Sequence, residues 1–139
     1  MKISMTLDAP AEFLYHELIE SALEDIRSQV GKKISWRDLP GYTYEKKWST
    51  GKVAQMHIDS ATPSQVYGYT MTTGDQEFVV EYRLEPKNER QTQLEYSEDN
   101  HAKDAKAGAN QRIGTFAFGW LHKRRFKKMA RKMAEQYYK

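Results

Sequence analysis

The chain has 139 residues, 39% of them hydrophobic and 29% charged, the size and balance of one ordinary globular domain spanning 1–139. It has no cysteine, which excludes disulfides, thiolate metal sites and a cysteine nucleophile. No apolar run approaches the ~20 residues of a membrane span, and Met1-Lys2-Ile3-Ser4-Met5 lacks the apolar stretch of a secretory leader, so the expected setting is a reducing cytoplasm.

The net charge of +3 hides an asymmetry. Residues 108–139 hold nine of the 22 Lys/Arg and one of the 19 Asp/Glu, a local balance of +8, which leaves −5 on residues 1–107. One reading is a basic helix riding on an acidic sheet. The other is a contact site for phosphate, nucleic acid, an anionic membrane face or an acidic protein.

Ile3, Met5 and Leu7 alternate with polar neighbours, the period of a half-buried strand. Asp8 then offers a helix cap, and Pro10 suits a first helical turn. Tyr15, Leu18, Ile19, Ala22, Leu23, Ile26 and Val30 recur at three- and four-residue spacing. This predicts an amphipathic helix over 10–30, with Gly31 as its stop and a break near Ser21 left open. From Ile34 to Asn100 the pattern is of strands divided by turns. Tyr42, Tyr44 and Trp48 alternate first, then Ala54, Met56 and Ile58. Tyr67, Tyr69 and Met71 follow, then Phe78, Val80, Tyr82 and Leu84, and finally Leu94 and Tyr96. Turns at Leu39-Pro40-Gly41, Ser49-Thr50-Gly51, Thr62-Pro63-Ser64, Thr73-Gly74-Asp75 and Pro86-Lys87-Asn88-Glu89 make this an antiparallel meander. Residues 100–107 read as a polar connection.

A helix over roughly 108–138 closes the chain. Ile113, Phe116, Ala117, Phe118, Trp120 and Leu121 surround its first half, so that half should sit in a groove. From His122 onward only Phe126, Met129, Met133 and Tyr137 keep an apolar stripe. Lys123, Arg124, Arg125, Lys127, Lys128, Arg131 and Lys132 cover the rest.

This order, and the opening Ile3-Ser4-Met5-Thr6-Leu7-Asp8-Ala9-Pro10-Ala11-Glu12-Phe13, resemble the START-like (Bet v 1-like, polyketide cyclase-like, SRPBCC) superfamily. Within it the chain looks most like a small bacterial family of unknown function. The resemblance implies an α+β helix-grip fold, with a curved antiparallel sheet wrapped around the long C-terminal helix and a helix or helix pair after the first strand. It also implies a cavity between sheet and helix, which in the superfamily holds lipids, sterols, polyketides or other apolar molecules. Six strands are visible where the superfamily commonly has seven, and Ile34 to Trp36 is the candidate for the seventh.

The aromatic residues Trp36, Tyr44, Trp48, Tyr69, Tyr82, Phe116 and Trp120 are the best functional lead, as walls of a pocket with a few polar handles. The alternative is that they simply fill the core. His16 lies off the helix stripe, His57 lies opposite Met56 and Ile58, and Glu98 to Asp104 around His101 matches no metal-ligand spacing. Glu77, Glu81, Glu95 and Glu98 are carboxylates on strands, for which an exposed sheet face is the default. Phosphate loops, nucleophile elbows and His-Glu-x-x-His are absent, and no cofactor or metal is expected.

The leading reading is therefore non-enzymatic binding of a small apolar or amphipathic ligand, lined by Trp48, Tyr69, Tyr82, Phe116 and Trp120. The second is a regulatory or interaction module with a filled core. It would meet an acidic partner, or another copy of the chain, through Lys123, Arg124, Lys127 and Lys128. Nucleic acid is disfavoured because the other 107 residues are net acidic. The third reading is an enzyme of cyclase or hydrolase type.

Overall fold

A computed structural model describes residues 1–102 and 122–139. Strand β1 (Lys2–Leu7) leads into helix α1 (Ala11–Val30). A single 3-10 turn (Trp36–Asp38) precedes a meander of β2 (Thr43–Lys47), β3 (Val53–Thr62), β4 (Val66–Thr73), β5 (Gln76–Pro86) and β6 (Thr92–Ala102). Helix α2 covers 122–135 within the described residues and ends in a 3-10 turn, Gln136–Tyr138. The six strands form one antiparallel sheet in the order β1-β6-β5-β4-β3-β2, so the first strand pairs with the last.

One face of this curved sheet meets the helices. Ile3, Met5 and Leu7, then Ala54, Met56 and Ile58, are buried with the alternation the sequence predicts. The alternation in β3 survives only to Ile58, where a bulge at Asp59 shifts the register so that Ala61, not Ser60, regains the inner face opposite Tyr67. Such a bulge bends its strand and increases the local twist. Gly68 is required there, since a Cβ would meet the Ser60 Oγ at 3.0 Å and the Val80 carbonyl oxygen at 3.2 Å.

Helix α1 is continuous through Ser21 and buries Ala11, Leu14, Tyr15, Leu18, Ile19, Ala22 and Ile26, while Val30 at its end is exposed. Gly31 closes it in the left-handed conformation at φ 76°, donating to the Arg27 carbonyl. The helix starts without a side-chain cap. Asp8 does not cap it, because its carboxylate instead accepts from Gln91 Nε2 at 2.9 Å, beside the β5–β6 turn. Helix α2 packs through Phe126, Ala130 and Ala134 rather than the expected Met129, which is exposed. Small alanines let this helix lie close, and Tyr137 reaches Phe13 of α1 edge-on at 5.2 Å.

Three further expectations change. Ile34 to Trp36 supplies no seventh strand: Ser35 caps a 3-10 turn through its hydroxyl, and Trp36 stands 47% exposed. Residues 100–102 belong to β6, not to a connecting loop. The α-helical part of α2 stops at 135, short of Tyr138. Residues 108–121, read as the groove-filling half of the terminal helix, lie outside the described residues.

The corner between β1 and α1 is tied to β6 by one buried polar contact. Thr92 is fully buried, and its hydroxyl donates to the Ala9 carbonyl at 2.7 Å. Replacing a hydroxyl by a methyl here leaves that carbonyl buried and unpaired. Thr92→Val should therefore cost about 1–3 kcal/mol in chemical denaturation. An unchanged denaturation midpoint would show that the contact contributes nothing.

Candidate functional site: the tyrosine-lined inner face

The strand register assembles the inner face in rows. Ala61, Tyr67, Tyr82, Tyr96 and Ile3 lie side by side across β3, β4, β5, β6 and β1. Beside them run Ile58, Tyr69, Val80 and Glu98, then Met56, Met71, Phe78 and Asn100, with Tyr44 opposite Met56 on β2. Side chains of period two on neighbouring strands make such rows inevitable once the register is set. Tyr67 stacks on Tyr82 at 5.9 Å and tilts to Tyr69 at 5.8 Å, and Tyr82 meets Tyr96 edge-on at 5.0 Å. Phe126 of α2 stacks on Tyr96 at 4.1 Å and covers Tyr82 at 6.0 Å.

The hydroxyls divide into two groups. Tyr44 donates to Asp25 Oδ2 at 2.5 Å, and Asp25 also pairs with Lys46 at 3.0 Å. Tyr96 donates to Glu98 Oε2 at 2.7 Å, and His122 Nε2 lies 2.9 Å from the same oxygen. The hydroxyls of Tyr67, Tyr69 and Tyr82 make no hydrogen bond among the described residues. Yet no buried side-chain polar atom among those residues lacks a partner. Among the described residues the three hydroxyls are thus left without a protein partner, while the Tyr67 residue as a whole is 7% exposed.

Electrostatics follow from this enclosure. Burial pushes the Tyr69 hydroxyl up to about 12, with the Glu98 and Asp25 carboxylates adding to it. Burial, then Tyr69 and Glu98, raises Tyr82 well above the usual phenol value. Tyr67, Tyr96 and Tyr44 are raised further, first by burial. For Tyr96 and Tyr44 the bonds to Glu98 and Asp25 come next.

Of the residues singled out from the sequence, Tyr69 and Tyr82 stand together on this face, bridged by Tyr67. Trp48 lies one residue past β2, in the turn to β3, with the Lys46 and Lys52 ammonium groups 5.5 and 5.8 Å from its ring centre. Phe116 and Trp120 lie outside the described residues. Lys123, Arg124 and Lys128 are exposed on α2, and Lys127 is half-buried. Glu98 is not on the exposed face: its side chain is 24% exposed on the inner one. Its parity with Leu94 and Tyr96 was the available signal. Glu81 does lie on the outer face, paired with Arg83. His101 sits on β6, and no cluster of metal-ligating residues occurs among the described residues. An open depression of about 470 Å³ lies across β2, β3 and β4, with Tyr44, Val53 and Ala54 as well as Thr43, Glu45, Gln55 and Thr72 in its lining.

The five raised tyrosines of this sheet face make the fold sensitive to alkali. The unfolded chain releases each phenolic proton near pH 10, whereas folded Tyr69 holds its own until about pH 12. Stability present below pH 10 is thus lost as pH rises from 10 to 12, at up to about 1.4 kcal/mol per pH unit for each tyrosine. Urea denaturation at pH 9 and pH 11 should show this fall, with a smaller slope in Tyr69→Phe. Equal stability at the two pH values would contradict the enclosed, protonated array.

Solved structures share this architecture. Protein MLL2253 from Mesorhizobium loti matches at a TM-score of 0.57 and 17% identity over 98% of each chain. Norcoclaurine synthase from Thalictrum flavum matches at 0.63 and 10% identity, over 98% of this chain and 84% of the synthase. Ara h 8.0201 matches at 0.60 and 14% identity, over 99% and 94%. These likenesses establish the Bet v 1-like helix-grip fold. Comparison with curated proteins returns no match. A family model, the domain of unknown function DUF3284, matches residues 1–119, so the chain belongs to that family.

Proposed function

We propose that the chain, as one helix-grip domain over 1–139, binds a small apolar or amphipathic molecule between the inner face of its sheet and its C-terminal helix. The observation that carries this reading is the trio of hydroxyls on Tyr67, Tyr69 and Tyr82, which bond no described residue. A filled core would be expected to satisfy or exclude them, because a buried hydroxyl without a partner costs free energy. Aromatic walls with a few convergent polar groups are the ordinary make-up of a small-molecule site. Tyr69 and Tyr82 form its wall, and Trp48, Phe116 and Trp120 are its further proposed lining residues. The Thalictrum flavum synthase was crystallised with dopamine and hydroxybenzaldehyde, which lends the fold-level analogy.

The neutral dye Nile red tests this directly. It should bind saturably, one per chain, with blue-shifted emission. At about 100 times its Kd it should add about 2.7 kcal/mol to stability. Tyr69→Ala and Tyr82→Ala should each weaken binding by about tenfold through lost apolar contact. No saturable binding and no shift in melting temperature would favour a filled core.

A second reading, contact with an acidic partner, is favoured by the outward face of α2. Lys123, Arg124, Lys128, Arg131 and Lys132 are all exposed there, with Glu135 the acid among them. A solvated face is the alternative, as for most basic helices. Heparin retention at low salt that falls when Lys123, Arg124, Lys127 and Lys128 are made neutral would support a contact surface. Elution in the void at low salt would end that reading.

A further inference from the structure

Resting on the proposed binding site, the charge pattern of the inner face selects a ligand class. Among the described strand residues of this face the charged side chains are Lys46 and Glu98, on opposite sides of the tyrosine rows. Lys46 is already paired with Asp25 of α1 at 3.0 Å, and Tyr44 holds the same carboxylate. Glu98 is different. Its two partners, the Tyr96 hydroxyl and His122 Nε2, both meet Oε2. Oε1 has no partner among the described residues. The Met1 nitrogen donates to the backbone carbonyl of Glu98, not to its carboxylate.

Tyr69 shares its row with Glu98 across Val80, and Tyr82 lies diagonal to Glu98 through its pairing with Tyr96. Tyr69 and Tyr82 are close enough for the Glu98 charge to raise both phenols. Aromatic faces attract a cation through the ring quadrupole, and a carboxylate in a partly dry site attracts it more strongly than in water. Tyr67, whose hydroxyl bonds no described residue, adds a polar handle beside them. Lys123, Arg125, Lys128, Arg131 and Lys132 of α2 are exposed, and Lys127 is half-buried. A carboxylate or phosphate ligand would find on the described inner face only Lys46, already engaged, and His122, already on Glu98.

We propose that this site takes an organic ammonium ion, with the charged nitrogen at Oε1 of Glu98 and the apolar body laid over Tyr67, Tyr69, Tyr82 and Phe126. Fatty acids and other apolar anions are disfavoured ligands. The chain as a whole carries +3, which on its own favours anions, so a preference for a cation reports the local site.

Three twelve-carbon probes differing only in head group separate the terms: dodecylammonium, dodecanol and dodecanoate at pH 7, each below its micelle-forming concentration, displacing Nile red. Dodecylammonium should displace the dye at about one-tenth the concentration of dodecanol, with dodecanoate weakest. Glu98→Gln keeps a hydrogen-bond acceptor for Tyr96 and should bring dodecylammonium to the dodecanol level while leaving dodecanol unchanged. Dodecanoate binding as well as dodecylammonium in the unmodified chain overturns the inference, whether or not Glu98→Gln folds. So does an ammonium advantage that survives Glu98→Gln. Displacement by dodecanol without an ammonium advantage refutes the charge selection alone, whereas no displacement by any probe refutes the binding site as well.

Discussion

Burying a tyrosine ring is favourable only when its hydroxyl has something to bond, and this fold sets tyrosines in adjacent rows on one face of one sheet. Two of the five strand tyrosines on that face settle the problem internally, Tyr44 on Asp25 and Tyr96 on Glu98. Tyr67, Tyr69 and Tyr82 do not. Each ring contributes apolar burial and ring contacts worth roughly 0.5–1.5 kcal/mol per pair, but each hydroxyl must still meet water or a ligand. The enclosure that raises their pKa values and the space their hydroxyls need are the same feature of the molecule.

The remainder of the structure holds that face in shape. The first strand pairs with the last, so β1 shuts one side of the sheet, and Thr92 ties the β1–α1 corner to β6. The bulge at Asp59 bends β3 and keeps Ala61 inward, and Gly68 leaves room for it. Helix α2 covers the tyrosine rows through Phe126 while Ala130 and Ala134 let it settle onto the core. His122 anchors α2 on Glu98. The carboxylate that the inner face carries beside its tyrosines is therefore also a fastening point between sheet and helix.

Much of this architecture is legible in the residue pattern, for a physical reason. A sheet with one wet face imposes period two, so Ala54, Met56 and Ile58, or Phe78, Val80, Tyr82 and Leu84, announce their direction. The helix stripe from Tyr15 to Ile26 is equally direct, and the element order suffices to identify the helix-grip fold. What was misread depended on partners distant in sequence. Asp8 has the composition of a cap but bonds to Gln91, 83 residues away. Trp36 is aromatic and flanked by apolar Ile34, yet Ser35 folds the segment into a 3-10 turn and leaves it outside. Glu98 follows the inward parity of Leu94 and Tyr96, but a carboxylate on a strand is ordinarily solvated, and only its contacts with Tyr96 and His122 reveal its place. Met129 fits the helical spacing as well as Ala130, and the choice between them lies in how closely α2 approaches the sheet.

The account rests on accessible space at the tyrosine hydroxyls. A crystal structure at a resolution that shows ordered water tests it most directly. The account predicts water or ligand density within about 3 Å of the Tyr67, Tyr69 and Tyr82 hydroxyls. Three hydroxyls sealed among side chains, each bonded to a protein group with no density beside it, would contradict it.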